Sequence, residues 1–188
     1  MELLEHNIII DGHWERGVWT IRTTENIIKL AGTSTSTIDG IGLSYNVFFQ
    51  GCSHNCLGCQ NPDLQDFKGG YETSINDIIA HINQNLDFYD SAVLTGGDPV
   101  DQPKALYSTL KNLNIPTILY TGYLFKDIPD QIKYLCSIIV DGPYIQNLAL
   151  KGSPSSSNQK IYFNTSKLTK YQMFSFMVSH KTEQYYNF

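Results

Sequence analysis

Short apolar runs and helix-length amphipathic stretches alternate through the middle of this chain. Residues 43–50, with Val47, Phe48 and Phe49, predict a strand. After a break at Gly69 and Gly70, Ser74 is placed to cap a helix on which Ile75, Ile78, Ile79, Ile82 and Leu86 share one face. Residues 92–95 predict a short buried strand that runs into Gly96-Gly97-Asp98-Pro99. A second helix follows, with Pro103 near its first turn and Leu106, Leu110 and Leu113 facing inward. Residues 117–121 predict a strand, 127–135 a short helix and 137–141 another strand. Strands alternating with helices at this spacing give βαβ units, hence an α/β fold with mainly parallel strands.

The two ends follow other patterns. Ile8 to Ile10 and residues 18–21 flank a turn-like Asp-Gly-His-Trp-Glu-Arg-Gly and predict a loose hairpin. The Ser/Thr tract at 33–37 reads as a connector, 151–159 as a Gly/Ser/Pro-rich loop and 160–164 as one more short strand. From 170 onward Phe174, Phe176 and Val178 alternate as in a strand, before Tyr185, Tyr186 and Phe188 close the chain. The expected organisation is an N-terminal hairpin-like extension (1–27), a core domain (28–166) and a C-terminal strand with an aromatic tail (167–188). The terminal strands are expected to pair with each other or to cover a sheet edge. That would bring Trp14, Trp19, Tyr185 and Tyr186 to one surface, either as a docking face or as part of the core.

Composition narrows the class. The 188 residues suit one domain, and 41% hydrophobic with 16% charged residues is a globular balance. A net charge of −5 without any Lys/Arg block argues against nucleic acid as a partner. No apolar run approaches membrane-spanning length, and the acidic start lacks the basic region of a secretory signal. A cytoplasmic location is the expectation.

In a parallel sheet the chemistry gathers beyond the carboxyl ends of the strands. Gly96 to Pro99, Thr121-Gly122-Tyr123, Asp141-Gly142 and one further loop are expected at such ends. That loop holds Cys52, Cys56 and Cys59, a C-x3-C-x2-C spacing without a fourth cysteine nearby. A helical stripe of buried thiols conflicts with Gly51, Asn55, Gly58, Asn61 and Pro62, which break helices and build turns. Structural zinc usually shows two separated ligand pairs, and His54, between the first two cysteines, is poorly placed to close a tetrahedron. Disulfides need an oxidising compartment. The leading reading is a [4Fe–4S] cluster on three thiolates with one iron open for chemistry, and zinc is the alternative. Cys136, in an apolar stretch, reads as a core thiol.

These motifs resemble those of the radical S-adenosylmethionine (radical SAM) superfamily, and within it the glycyl-radical activases. The resemblance rests on Ile38 to Gly42, Phe48 to Cys59, Asn61-Pro62, Asp66 to Gly70, Leu94 to Pro99, Tyr120 to Tyr123, Asp141 to Tyr144, Gly152-Ser153 and Asn158-Gln159. It implies an open partial (β/α) barrel of mainly parallel strands with additional terminal strands. It implies Cys52, Cys56 and Cys59 as cluster ligands, with SAM chelating the open iron and yielding a 5′-deoxyadenosyl radical on reduction. Gly58, Cys59 and Gln60 would lie near SAM, Gly96 and Gly97 would offer bare backbone to its amino acid portion, and Asp98 would hold its ammonium. Thr121 and Asp141 are placed either to reach the ribose or to cap the next turn. The implied partners are the large subunit of anaerobic ribonucleotide reductase or another glycyl-radical enzyme, and a reduced flavodoxin-type electron donor. The chain departs from the family at Ser44, where an arginine is customary, and at Gln60 and Gln65. A radical SAM enzyme for a small molecule, similar to carboxy-deazaguanine synthases, and a non-catalytic cluster or zinc module are the alternatives.

Overall fold

Residues 12–15, 18–21, 26–182 and 184–188 are described by the computed structural model. Near the N-terminus β1 (Gly12–Glu15) and β2 (Val18–Ile21) form an antiparallel pair with Trp14 opposite Trp19. The first strand thus lies inside the stretch that reads as a turn, and Ile8 to Ile10 lie outside the described residues. The main chain then runs β3 (Ile27–Ser36), β4 (Ser44–Phe49), β5 (Tyr71–Ser74), α1 (Ile75–Gln84), β6 (Ser91–Gly96) and α2 (Pro103–Asn112). It continues through β7 (Thr117–Tyr120), α3 (Asp130–Leu135), β8 (Ile138–Asp141), β9 (Lys160–Phe163), α4 (Lys170–Ser179) and β10 (Tyr186–Asn187).

Eight of these strands form one mixed sheet in the order β10-β9-β8-β7-β6-β4-β3-β5. Its centre, β4-β6-β7-β8, is parallel throughout. The flanks are antiparallel at β3 against β4 and β5, and at β8 against β9. Strand alternation divides the core in two. Tyr45, Val47, Phe49, Ala92, Leu94, Leu119 and Ile139 pack under α1, α2 and α3. Val93, Ile118, Ile138, Val140, Ile161 and Phe163 form the second cluster, which holds Phe176 of α4 with Met173 and Met177 against it. One face of the sheet therefore carries three helices and the other carries α4.

Several local expectations need correction. The Ser/Thr tract is strand: Thr33 to Ser36 belong to β3 and pair with β4, Thr33 opposite Val47. Threonine is β-branched and suits a half-exposed strand, so the polar run does not interrupt pairing. The alternation at Phe174, Phe176 and Val178 lies on a helix, where only Phe176 is buried and Phe174 and Val178 face out. A capping box explains the choice: Thr169 Oγ1 accepts from Gln172 N–H (3.2 Å) while Gln172 Oε1 accepts from Thr169 N–H (2.9 Å). Ser74 occupies the cap position of α1 without a side-chain hydrogen bond, and Leu86 lies past the helix end, exposed. The terminal strand that does cover an edge is β10, parallel to β9, with Tyr186 stacked on Tyr162 (ring centroids 5.2 Å apart). No helix among the described residues is long and apolar enough to cross a membrane.

Candidate functional site

Strand β4 ends at Phe49 and the cysteine loop begins two residues later, anchored by its own backbone. Gly51 N–H donates to Leu64 O (2.8 Å) and Cys52 N–H to Gln65 O (3.1 Å), so residues 51–65 close as a loop. Gln50 is buried beneath it; its amide donates to Asp66 O (2.8 Å) and Asp63 O (3.2 Å). Asp101, beyond β6, ties the front: Ser53 N–H donates to Oδ2 (2.7 Å), and Ser53 and Tyr123 hydroxyls to Oδ1 (3.0 and 2.7 Å).

Gly96 and Gly97 dock the end of β6 against this loop. Gly97 N–H donates to Phe49 O and Asp98 N–H to Gly51 O, both at 2.8 Å, extending the β4–β6 ladder into the cysteine loop. Gly96 has φ +111, and a Cβ there would lie 2.5 Å from Phe49 N and O. A Cβ on Gly97 would strike the Gly51 carbonyl and come within 2.7 Å of Leu64 O. These glycines are thus required first by close approach of backbone to backbone.

Asp98, almost fully buried, joins three strand ends. Its Oδ1 accepts from Val100 N–H (2.9 Å) and Thr121 Oγ1–H (2.8 Å), and its Oδ2 from Gly122 N–H (2.7 Å). His54 Nε2 lies 3.0 Å from Oδ2; among the described residues that nitrogen has no well-aligned hydrogen-bond partner, so the contact is mainly electrostatic. The Asp98 contact raises the His54 pKa above the ordinary histidine value, against the effect of burial. A carboxylate offers about four lone-pair sites. Val100 N–H, Thr121 Oγ1–H and Gly122 N–H take three of them and His54 stands over Oδ2, so a SAM ammonium would compete with His54 for what is left. Thr121 also accepts from Tyr123 N–H (3.1 Å) and so caps its own turn, whereas Asp141 accepts from Phe125 N–H (2.6 Å) and Lys160 N–H (3.1 Å) and ties the end of β8 to two distant segments rather than capping the next turn.

All three thiols of the loop are partly exposed and line one cavity of about 620 Å³, together with Gln60, Gly96, Gly97 and Asp98. That volume is in the range of small-molecule sites. Gly58 adopts φ +73 and sits against Gln146, whose side-chain amide carbon would lie 2.9 Å from an added Cβ. Burial, assisted by Asp98, Asp101 and Cys56, pushes the Cys52 thiol up to about 12, and burial also raises Cys56. Iron binding must therefore displace thiol protons, which favours loading at higher pH. Asn61 N–H donates toward Cys59 Sγ (3.4 Å), the kind of contact that stabilises a thiolate. Among the described residues no three His, Cys, Asp or Glu side chains gather closely enough to hold a single metal ion. Three thiols facing shared space beside bare strand-end backbone is a donor set that fits a [4Fe–4S] cluster with a ligand at its open iron.

The cavity extends beyond what the sequence indicates. Asn46, Phe48, Thr95 and Tyr120 lie along it on the sheet face that carries α4, and Ser179, His180 and Lys181 line it from the helix end. Tyr120 Oη gathers this wall: Asp39 O, Ser153 Oγ and His180 Nε2 each lie 2.9 Å away. Burial lowers the His180 pKa and raises that of Tyr120. No spacing signal exposes such residues; the two-residue alternation that puts Ile118 and Tyr120 on one face of β7 and Leu119 on the other is the nearest cue.

Comparison with known proteins identifies the family. A sequence model of the 4Fe-4S single cluster domain matches residues 38–162. The anaerobic ribonucleoside-triphosphate reductase-activating protein of Enterobacteria phage T4 is 30% identical over 71% of this chain and 92% of its own length. The pyruvate formate-lyase-activating enzyme of Clostridium pasteurianum is 27% identical over 61% of this chain, which spans about half (51%) of that enzyme. Among solved structures, QueE from Escherichia coli aligns with a TM-score of 0.44 at 13% identity, over 61% of this chain and 70% of that one. The chain belongs to the 4Fe-4S single cluster domain family and is a radical SAM enzyme related to the glycyl-radical activases, with a [4Fe–4S] cluster and SAM as its cofactors.

Proposed function

We propose that this protein installs a glycyl radical on an anaerobic ribonucleotide reductase. The observation that carries the reading is the single cavity in which Cys52, Cys56 and Cys59 meet the Gly96-Gly97 strand end. Similarity to the phage T4 activating protein, across nearly all of that protein, supports the choice of partner. We take Cys52, Cys56 and Cys59 as the ligands, Gln60, Gly96 and Gly97 as the surface against SAM, and Asp98 as the support of that surface. We also take 28–166 as the catalytic core, curled as an open partial barrel, with 1–27 as an extension and 167–188 as a tail that carries α4.

When bound, the cluster and SAM supply one-electron cleavage of a carbon–sulfur bond and so a 5′-deoxyadenosyl group able to abstract hydrogen. The chain's own share is positional. Asp98 and Asp101 hold the cysteine loop at the ends of β6 and β7, so the thiols face the cavity. Phe48, Val93, Tyr144 and Ile38 give the cavity apolar walls that limit water, a condition for handling a reactive radical. The mouth must admit a glycine carried on another protein, and the electron comes from a reduced flavodoxin-type donor.

The test is anaerobic reconstitution, reduction in the presence of SAM, and measurement of 5′-deoxyadenosine and of a glycyl radical by electron paramagnetic resonance, with and without the reductase large subunit. A glycyl signal that depends on the subunit, on SAM and on the cluster is the expected result. Reductive SAM cleavage with no radical on the subunit would refute the choice of partner.

A further inference from the structure

Two sequence motifs, Asp141 to Tyr144 and Asn158-Gln159, meet beside the cysteine loop. Asn158 Nδ2 donates to Pro143 O (2.8 Å) and Gln159 Nε2 to Gly142 O (2.9 Å). From the other side Gly142 N–H donates to Tyr123 O (3.0 Å), at the end of β7. The Gln159 amide is itself fixed, because its Oε1 accepts from Ser155 N–H (2.9 Å), the Ser155 hydroxyl (3.0 Å) and Ser156 N–H (3.1 Å). Asn158 Oδ1 is buried without a partner among the described residues, a cost that the bond to Pro143 has to offset.

The clasp fixes the backbone that leads to a ligand thiol. Gly142 and Pro143 are held through both carbonyls, and the proline ring sets its own φ. The next group along the chain is Tyr144 N–H, which donates to Cys56 Sγ. Gln146 of the same loop lies against Gly58, two residues past that thiol. Cys52 and Cys59 also accept backbone donors, from His54 N–H and from Asn61 N–H (3.4 Å). Those two donors belong to the cysteine loop itself and come with its turns. The donor to Cys56 arrives on a separate segment, so it stays in place only if that segment is held.

Hydrogen bonds to the ligand sulfurs are one of the levers that set the reduction potential of an iron–sulfur cluster. An N–H aimed at a thiolate favours the more negative, reduced state, and so raises the potential. Resting on the ligand set taken above, we propose that Asn158 and Gln159 are positioning residues for the cluster. They hold Gly142 and Pro143 so that Tyr144 N–H stays on Cys56 Sγ, and the cluster is thereby easier to reduce.

The experiment is a redox titration of the reconstituted enzyme without SAM, followed by electron paramagnetic resonance. Asn158→Leu and Gln159→Met each remove one clasping amide and add no charge that would itself move the potential. Loss of one hydrogen bond of ordinary strength should lower the ratio of reduced to oxidised cluster, at a fixed potential, about three- to tenfold, which is ~30–60 mV in the midpoint. A merely structural role would lower iron content or thermal stability and leave the potential of the clusters that do form unchanged. Parent midpoints in both variants, or weaker SAM binding with an unmoved midpoint, would overturn the inference. A second measurement needs no variant: parent enzyme labelled with nitrogen-15 tyrosine should show a nitrogen-15 hyperfine coupling to the reduced cluster in pulsed spectra. No coupling would overturn the inference however the variants fold. Four irons retained by Cys56→Ala would instead overturn the ligand set on which it rests.

Discussion

Gly97→Ala separates two reasons for a glycine at the end of β6. If the residue is there to leave room for SAM, a methyl group should weaken SAM binding and spare the protein. The structure gives a different answer, because the added Cβ would strike the Gly51 carbonyl and lie within 2.7 Å of both Gly51 C and Leu64 O. All of these are backbone atoms, so relief requires the cysteine loop to move away from β6. Overpacking of this kind costs about 1–3 kcal/mol. The same movement strains Asp98 N–H to Gly51 O and Gly51 N–H to Leu64 O, both 2.8 Å, worth about 1 kcal/mol each. The expected loss is about 2–4 kcal/mol, or about 4–16 °C in Tm for a chain of this size. The assay is thermal unfolding of the metal-free protein beside iron content after anaerobic reconstitution. The variant should lose stability before any ligand is added and should retain less iron. A variant as stable as the parent, loaded with the same iron and impaired only in SAM binding, would refute the reasoning.

Three further outcomes follow from other residues. Cys52→Ala, Cys56→Ala and Cys59→Ala should each abolish binding of the expected four irons, whereas Cys136→Ala, at a fully buried position, should keep the iron and lose about 1 kcal/mol of stability; iron and sulfide assays with denaturant melts distinguish them. Asp98→Asn replaces one acceptor oxygen by a donor facing Val100 N–H or Gly122 N–H, and should cost about 2–5 kcal/mol; full stability by urea melt would contradict Asp98 as the tie between strand ends. The His180 pKa is held below its unfolded value of about 6.5, so its contribution to stability is complete above that pH and is lost as pH falls through the folded value. Parent protein should therefore lose stability relative to His180→Gln on acidification below neutrality, and parallel pH profiles would count against a buried neutral imidazole.

What the sequence revealed depended on whether the cause was local. The cysteine loop is legible because Cys52, Cys56 and Cys59 lie within one turn-rich segment, and the strand ends at Gly96, Thr121 and Asp141 because each strand is short and flanked by turn residues. The helix α4 was hidden by an accidental alternation of Phe174, Phe176 and Val178, whereas its actual determinant, the Thr169–Gln172 box, is two polar residues. Strand β3 was hidden because its threonines are polar in composition yet favourable in backbone preference. The task of Asp98 could not be read locally, since its partners His54, Thr121 and Gly122 come from far along the chain. The same holds for the wall around Tyr120, which joins Asp39, Ser153 and His180.

Placing the last cavity wall on α4 also sets a timetable for synthesis. Domains are made N-terminus first, at about 5–20 residues per second, so the ~120 residues between Cys59 and His180 take about 6–24 s to follow. During that interval the three thiols leave the ribosome while Tyr120, Ser153 and α4, which line the rest of their cavity, are still missing. A nascent chain offers a cluster-delivery protein an open loop, and a finished one offers it the mouth of a braced cavity. For this enzyme the moment of iron delivery, relative to translation, decides which of those two shapes the delivery protein meets.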